Sequence, residues 1–467
     1  MRTSRPLGKC GVLAMSQEDA LVNAGGVNIV ESLIAGHQLS RRDVLKALGA
    51  GSLTLVGGGL LEACGSLGNT GGTSTAGTIK IGYVSPLTGA AAGFGEPDPY
   101  VVSLARKAFA SGLTIGGKKY SVQVITEDSQ SGPRSAQAAA DLINSSNVDL
   151  ILTTSTPETV NPVSDAAEAA GVPCISTIVP WEAWYFGRQT NPAAPVPFKW
   201  TFHFSFGVAQ FASAYEHLWP QVPTNKVVGV MWPNDADGNA IRGALGPLLK
   251  HAGYTIVDPG AYADGTTDFT AQISMFKSHN CEIFNTFPIP PDFVTFWEQA
   301  AQQGYKPKIA QIAKTGLFPS QVQSLGTIGN GLASGVYWAP TWPYSSSLTG
   351  VSSADLASGY QTSSGKEWNQ QAGASLALFD VAAAALKASG NPKDKQAVAT
   401  AMKTLAVDTP LGRLAWGTGP NPNVVATPII GGQWVATPGT AYPINFVICE
   451  NSNDSNVPVA AKLTAYS

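Results

Sequence analysis

Residues 149–181, DLILTTSTPETVNPVSDAAEAAGVPCISTIVPW, decide the fold. An apolar run over 148–152 flows into the hydroxyl residues Thr153, Thr154, Ser155 and Thr156. A helical pattern follows, with Val160, Val163, Ala167 and Ala170 on one face. Gly171 ends it, and 172–176 begins a second apolar run. This is a strand–loop–helix–strand crossover, whose parallel strands need a helix between them. The loop at the carboxyl end of its first strand presents free backbone N–H groups and short hydroxyls to the crevice beside the sheet. The helix starts at Pro157 or at Pro162; either start leaves Ser155 and Thr156 near its positive end. A small anionic or polar ligand fits there, and plain helix capping is the alternative.

Working upstream, 79–84 (IKIGYV) and 120–126 read as strands, and 99–110 and 133–145 as helices. The resulting β-α-β-α-β-α-β order predicts a doubly wound α/β lobe. Downstream, 181–188 (WEAWYFGR) packs aromatics between Pro and Gly, too broken for a regular helix face and suited either to lining a cleft or to covering a seam. A second alternating series starts at 226–231 (KVVGVM) and continues through helices near 238–252, 269–278 and 292–303 and strands near 255–257, 282–287 and 308–312. Two Ala-rich helices, 372–388 and 395–405, and a strand-like tail from 411 complete the chain.

At 467 residues the chain is long enough for two or three domains. With 44% hydrophobic and 13% charged residues it can bury a large core. A net charge of −3 provides no basic excess to neutralise phosphates, so no nucleic-acid partner is expected. Near the amino end, Ser40-Arg41-Arg42-Asp43-Val44-Leu45-Lys46 has the twin-arginine export signature. An uncharged stretch, 47–61, and Leu61-Glu62-Ala63-Cys64 follow. That order predicts a leader over 1–63 and makes Cys64 the candidate lipid acceptor, with an ordinary cleaved signal as the alternative. Residues 64–77 have the composition of a flexible tether.

Enzymatic constellations are missing from the sequence. The five histidines have no metal-ligand spacing, and there is no nucleophile elbow, Walker loop or dinucleotide fingerprint. The 234–239 segment, NDADGN, starts like a calcium loop but lacks its Gly and Glu, so it reads as a turn. No metal and no cofactor is expected. Cys174, Cys281 and Cys449 sit in apolar runs and read as small buried hydrophobes, with one disulfide as the alternative.

These segments together resemble the solute-binding proteins of ABC importers, in particular the branched-chain amino acid (Leu/Ile/Val-binding) family with the type I periplasmic-binding fold. The resemblance covers about 78–450. It rests on the order and spacing of IKIGYVSPLTG, EDSQSGPRSAQAAADLI, the hydroxyl loop with AAEAAGVPCIS, KVVGVMWPNDADG, and TPLGRLAW with GGQW. It implies two doubly wound lobes, 78–200 with 338–407 and 205–334 with 411–467, joined by three crossings and closing on a ligand. The crossings fall near 198–206, 333–340 and 407–412.

The ligand contacts it implies are Ser155, Thr156, Ile178, Pro180 and Trp181 from the first lobe, and Asp237, Pro288 and Lys314 from the second. Amino-acid binders of the family carry an acid near the last of these loops; here the residue is Lys314. A lone buried lysine beside an ammonium is costly, so a carboxylate, amide or aromatic ligand is expected, with Trp181 and Trp184 beside it. Asp235, Asp237 or Glu182 is the alternative source of the missing negative charge. The expected protein is a monomer with no catalytic residues that delivers a small molecule to an ABC permease. A ligand-sensing receptor of the same fold is the alternative, and the lack of a signalling segment after Ser467 weighs against it.

Overall fold

The computed structural model describes residues 75–467. The twin-arginine segment, Cys64 and most of the expected tether lie outside the described residues. The first sheet runs, in spatial order, Val424–Ala426, Thr201–Ser205, Cys174–Thr177, Leu150–Thr154, Thr78–Ser85, Lys118–Asp128 and Leu113–Ile115. All neighbours are parallel except the last pair. Leu150–Thr154 is buried along its whole length, as a parallel strand covered on both faces must be. Gly82 at the sheet centre meets Leu142 so closely that an added Cβ would lie 2.7 Å from its Cδ1.

The second sheet runs Ile444–Ile448, Ile430–Ala436, Ala333–Val336, Ile309–Ile312, Ile283–Thr286, Val227–Met231 and Thr255–Val257. Its last five strands are parallel, while Ile430–Ala436 is antiparallel to both neighbours. The fold is thus two α/β layers, each with helices on its faces. The helix Gln371–Ala388 is buried nearly all round. Its alanines let it lie close against the first sheet, where Gln371 Nε2 donates to Thr154 Oγ1 at 2.6 Å.

The chain leaves the first sheet after Ser205, returns to it after Val336 and crosses again between Ala426 and Ile430. This corrects two expectations. Residues 407–412 form no crossing, because Ala406–Thr409 and Gly412–Ala415 pair as a β-hairpin turning at Gly412, φ +97°. Nor does 411–467 belong wholly to the second lobe: Val424–Ala426 pairs in parallel with His203, Phe204 and Ser205 of the first sheet. Among the described residues no helix is long and apolar enough to cross a membrane.

The aromatic 181–188 segment does form a helix, Trp181–Tyr185, contrary to expectation. The short turn is held by core packing rather than by a helical repeat. Trp184 is fully buried, stacks on His203 at 4.9 Å and has the Arg188 guanidinium 4.7 Å from its ring. It therefore belongs to the core of the first lobe, away from the cleft where a ligand was expected to meet it.

Candidate functional site

The carboxyl ends of the two sheets face one cavity, enclosing about 460 Å³ with its mouth included. Ser155, Thr156, Ile178 and Pro180 line it from the first lobe. Asp237 and Lys314 line it from the second, beside Phe287 and Ala313. Phe206, Gly335 and Ile429, all at or next to the three crossings, also line it. Six of the eight residues expected from the sequence thus share one cavity wall.

Local chain geometry places them. The helix starts at Pro157, with Thr156 as its extended N-cap, φ −95° and ψ 166°. No side chain caps it, so the hydroxyls of this loop are not spent on capping. Ser155 Oγ is buried without a hydrogen-bond partner among the described residues. Ser155, Ile178 and Lys314 all adopt positive φ, at 120°, 79° and 46°. For a β-branched residue such as Ile178 this is a rare conformation, and such strain concentrates at ligand clamps.

His203 is a supporting residue that sequence reasoning weighed only as a metal ligand. Its Nε2 donates to the Val179 carbonyl at 2.8 Å, and its Nδ1 lies 2.8 Å from Ser176 Oγ. Burial pushes its pKa down to about 3, so it stays neutral and pins the loop that carries Ile178 and Pro180. The only signal in the sequence is a histidine set between two phenylalanines in the strand Thr201–Ser205.

The NDADG turn does its work through Asp235, which accepts from Gly238 N at 2.6 Å and caps the helix Ala236–His251. A Cβ on Gly238 would lie 2.1 Å from the Pro233 carbonyl oxygen, so only glycine fits. This capping sets Asp235 and Asp237 around Lys314, whose Nζ lies 2.9 Å from Asp235 Oδ2 and 3.0 Å from Asp237 Oδ2. Burial works to lower the Lys314 pKa, but Asp237, Asp235 and Glu158 hold it above its ordinary value. Burial pushes the Asp237 carboxyl up to about 7 against the pull of Lys314. Lys314 is therefore not a lone cation, and the expectation that it repels an ammonium fails because two carboxylates already neutralise it. Glu182 supplies no charge to the cavity: its Oε1 accepts from Val208 N at 2.9 Å, and burial raises its carboxyl to about 7.

Two expected contacts fall outside the lining. Trp181 packs against Phe186, and its backbone N–H donates to the Phe206 carbonyl at 3.0 Å, which ties the loop to the first crossing. Pro288 is buried, and its neighbour Phe287 takes the place on the cavity wall, edge-on to Phe211 at 5.1 Å. Cys174, Cys281 and Cys449 are free and buried. Among the described residues no group of acids, histidines and cysteines could hold a metal ion.

Residues 78–436 match the family model described as periplasmic binding protein. A Leu/Ile/Val-binding protein homolog of Brucella suis is 25% identical over 399 residues, covering 82% of this chain and 95% of that protein. The branched-chain amino acid transporter substrate binding protein of Streptococcus pneumoniae, solved with isoleucine, superposes with a TM-score of 0.61 at 18% identity and covers 79% of this chain and 99% of its own. An ABC transporter solute binding protein of Rhodopseudomonas palustris, solved with 3,4-dihydroxybenzoic acid, gives 0.62 at 20% identity, covering 78% and 94%. With two α/β lobes about a common cavity and a family match that spans both sheets, the chain belongs to the periplasmic binding protein family: it is a substrate-binding protein of the type I fold and not an enzyme.

Proposed function

We propose that this protein is the exported, lipid-anchored solute-binding component of an ABC importer. It acts as a monomer, closes two lobes on one small molecule and passes it to a permease in the membrane. The observation that carries this reading is the cavity itself, walled by loops from both sheets and floored by residues of the crossings. A ligand held there contacts both lobes only when they are closed, so it shifts the open–closed equilibrium by that difference in affinity. The lobes proposed are 78–205 with 338–426, and 208–336 with 430–467.

Ser155, Thr156, Ile178, Pro180, Asp237 and Lys314 are the proposed contacts, with Trp181 and Pro288 supporting them from behind. The solute is amino-acid-like, or a carboxylate, amide or aromatic compound. Proteins of this fold that hold isoleucine or 3,4-dihydroxybenzoic acid support that range. A thermal-shift screen with amino acids, aliphatic and aromatic carboxylates, amides and urea tests the reading. Calorimetry with the best solute is expected to show the Ser155→Ala/Thr156→Ala double variant weaker by about 1–3 kcal/mol, the cost of unmatched polar groups in a buried site. Unchanged affinity would remove both hydroxyls from the contact set.

The anchor is tested separately. Cys64→Ser is expected to move the exported protein from the detergent-rich to the aqueous phase on detergent partitioning. Identical partitioning of wild type and variant would leave export without an anchor.

A further inference from the structure

The two lobes also meet outside the cavity, on one rim of the cleft. Gln323 Nε2, in the helix Pro319–Ser324 of the second lobe, donates to Glu367 Oε2 of the first at 2.7 Å. Beside it Tyr442 Oη, from the second lobe, donates to the Lys366 carbonyl at 3.2 Å. Phe318 stands edge-on to Phe94, ring centres 4.8 Å apart, and so close to Gly93 that an added Cβ would lie 3.1 Å from its Cγ. Neither Glu367 nor Gln323 lines the cavity. They lie in a separate groove of about 790 Å³, mouth included, with walls from both lobes. Glu367 is 6% exposed, and its Oε1 is buried with no hydrogen-bond partner among the described residues. An ionised carboxyl there forfeits hydration that one donated hydrogen bond does not return. Neighbouring charges do not rescue it. Lys366 Nζ is paired with Glu96 Oε1 at 2.6 Å, and the helix Pro319–Ser324 and residues 441–443 carry no acid or base besides the Tyr442 phenol. Asp355, the one charged residue of the helix Ser353–Ser364, is bonded to Ser352 at that helix's far end. The first turn of Gln371–Ala388 has no acid, and the other titratable group beside the rim is the Tyr360 phenol. Burial accordingly pushes the Glu367 carboxyl up to about 7, against the pull of the Gln323 donor.

We propose that Glu367 is a positioning residue for solute capture: with Gln323 it latches the lobes from outside the cavity, and it takes up a proton as they close. The inference rests on the solute-binding reading above and adds to it a linkage between closure and pH. With the lobes apart, Glu367 loses the Gln323 donor and meets water, so its carboxyl returns to its ordinary value near 4.5. Its pKa is therefore higher in the closed form than in the open one. What it contributes to closure is complete below about pH 4.5 and drains as the pH climbs through 7. A solute that needs the closed form is held more tightly in acid by that margin. The latch acts through the equilibrium between the lobes and touches no solute.

Calorimetry tests it at pH 5, 6 and 8, in buffers of low and high ionisation enthalpy. The probe is the compound with the largest thermal shift among the amino acids, aliphatic and aromatic carboxylates, amides and urea of the screen above. Each reading compares wild type with Glu367→Gln, whose amide keeps an acceptor for Gln323 and has no proton to gain. Titration of the probe and of Asp237 is common to both proteins and cancels. Between pH 5 and pH 8 the wild type is expected to lose about 10- to 100-fold in affinity relative to the variant, and near pH 6 to take up about one more proton per probe bound. Gln323→Ala, which removes the latch from the other lobe, is expected to weaken binding about 3- to 10-fold although the residue lies outside the cavity. Parallel pH profiles for wild type and Glu367→Gln, or equal proton uptake, overturn the inference and leave the solute-binding reading standing. So does a Gln323→Ala variant that binds as wild type does. Silence from every compound of the screen overturns the inference and the reading together.

Discussion

Lys314→Met is expected to destabilise the protein by about 3–5 kcal/mol near pH 8, the loss that follows removal of one partner from a buried ionic group. Lys314 is 6% exposed, and its Nζ is the common partner of Asp235 and Asp237. Without it two carboxyls face each other under cover, and folding must then either keep one of them protonated or carry their repulsion. Asp237 is already pushed up to about 7 with the lysine present, so the variant should recover part of its loss near pH 5, where that carboxyl holds its proton. The triple variant Asp235→Asn/Asp237→Asn/Lys314→Met removes the stranded charge and should regain much of the remainder, because an ionic cluster contributes little net stability over uncharged neighbours of similar volume. Urea unfolding of the three proteins at both pH values decides it. A Lys314→Met loss under about 1 kcal/mol near pH 8 would mean that the two carboxyls find other partners, and the picture of a single cation shared by both would be wrong.

The legibility of this chain follows from which physical signals are local. Strands buried on both faces, such as Leu150–Thr154 and Val227–Met231, announce themselves as unbroken apolar runs, and the helix Pro157–Ala170 carries its start at Pro157 and its stop at Gly171. The two-lobed α/β fold is therefore legible in the sequence, and six of the fourteen residues that line the cavity are among the expected contacts. The helix Ser353–Ser364 was missed because its sequence, SADLASGYQTSS, is polar with a short apolar face; it is held by the Ser352 cap, which accepts from Asp355 N at 3.1 Å, and stops at Gly365, φ +71°. The crossing at 427–429 was missed for another reason. It is an extended Thr-Pro-Ile segment without a turn signal, whereas TPLGRLAW looks like a boundary and folds as a local hairpin. Charge misled most. The sequence favours Lys314 as a lone cation and offers Asp235 and Asp237 only as the alternative source of negative charge; the fold brings all three together across some eighty positions of chain.

Raising the pH from about 5 to about 8 is expected to lower the melting temperature, by on the order of 5 °C or more, because several carboxyls are held protonated by burial. Asp98 is pushed up to about 6 by burial, against hydrogen bonds from Ser375 and Ser85. Burial raises Asp380 to about 7, although Ser346 Oγ and Leu348 N donate to its Oδ1 at 2.6 and 2.7 Å. Glu367 is raised to about 7 in the same way, at the edge where Gln323 of the second lobe donates to it at 2.7 Å. In the unfolded chain these groups release their protons near pH 4, while in the fold they keep them until pH 6 to 7. The stability they contribute is therefore complete below about pH 4 and drains as the pH climbs through 7. Taking Asp98 from 3.8 to about 6 corresponds to about 3 kcal/mol, and Asp380 from 3.8 to about 7 to about 4 kcal/mol. Asp128 and Glu282 are held below the ordinary range by Thr88 and Lys308 and work the other way, but their window lies under about pH 4. Scanning calorimetry of the wild type at the two pH values and of Asp380→Asn separates the cause. The amide keeps the acceptor for Ser346 and Leu348 and has no proton to lose, so the variant should match wild type near pH 5 and melt higher near pH 8. Since Asp380 Oδ2 has no partner among the described residues, the hydrogen bonds to its Oδ1 do not offset all the hydration that its ionised form loses. A wild-type melting temperature that rises between pH 5 and pH 8 would show that these carboxyls reach water in the folded state.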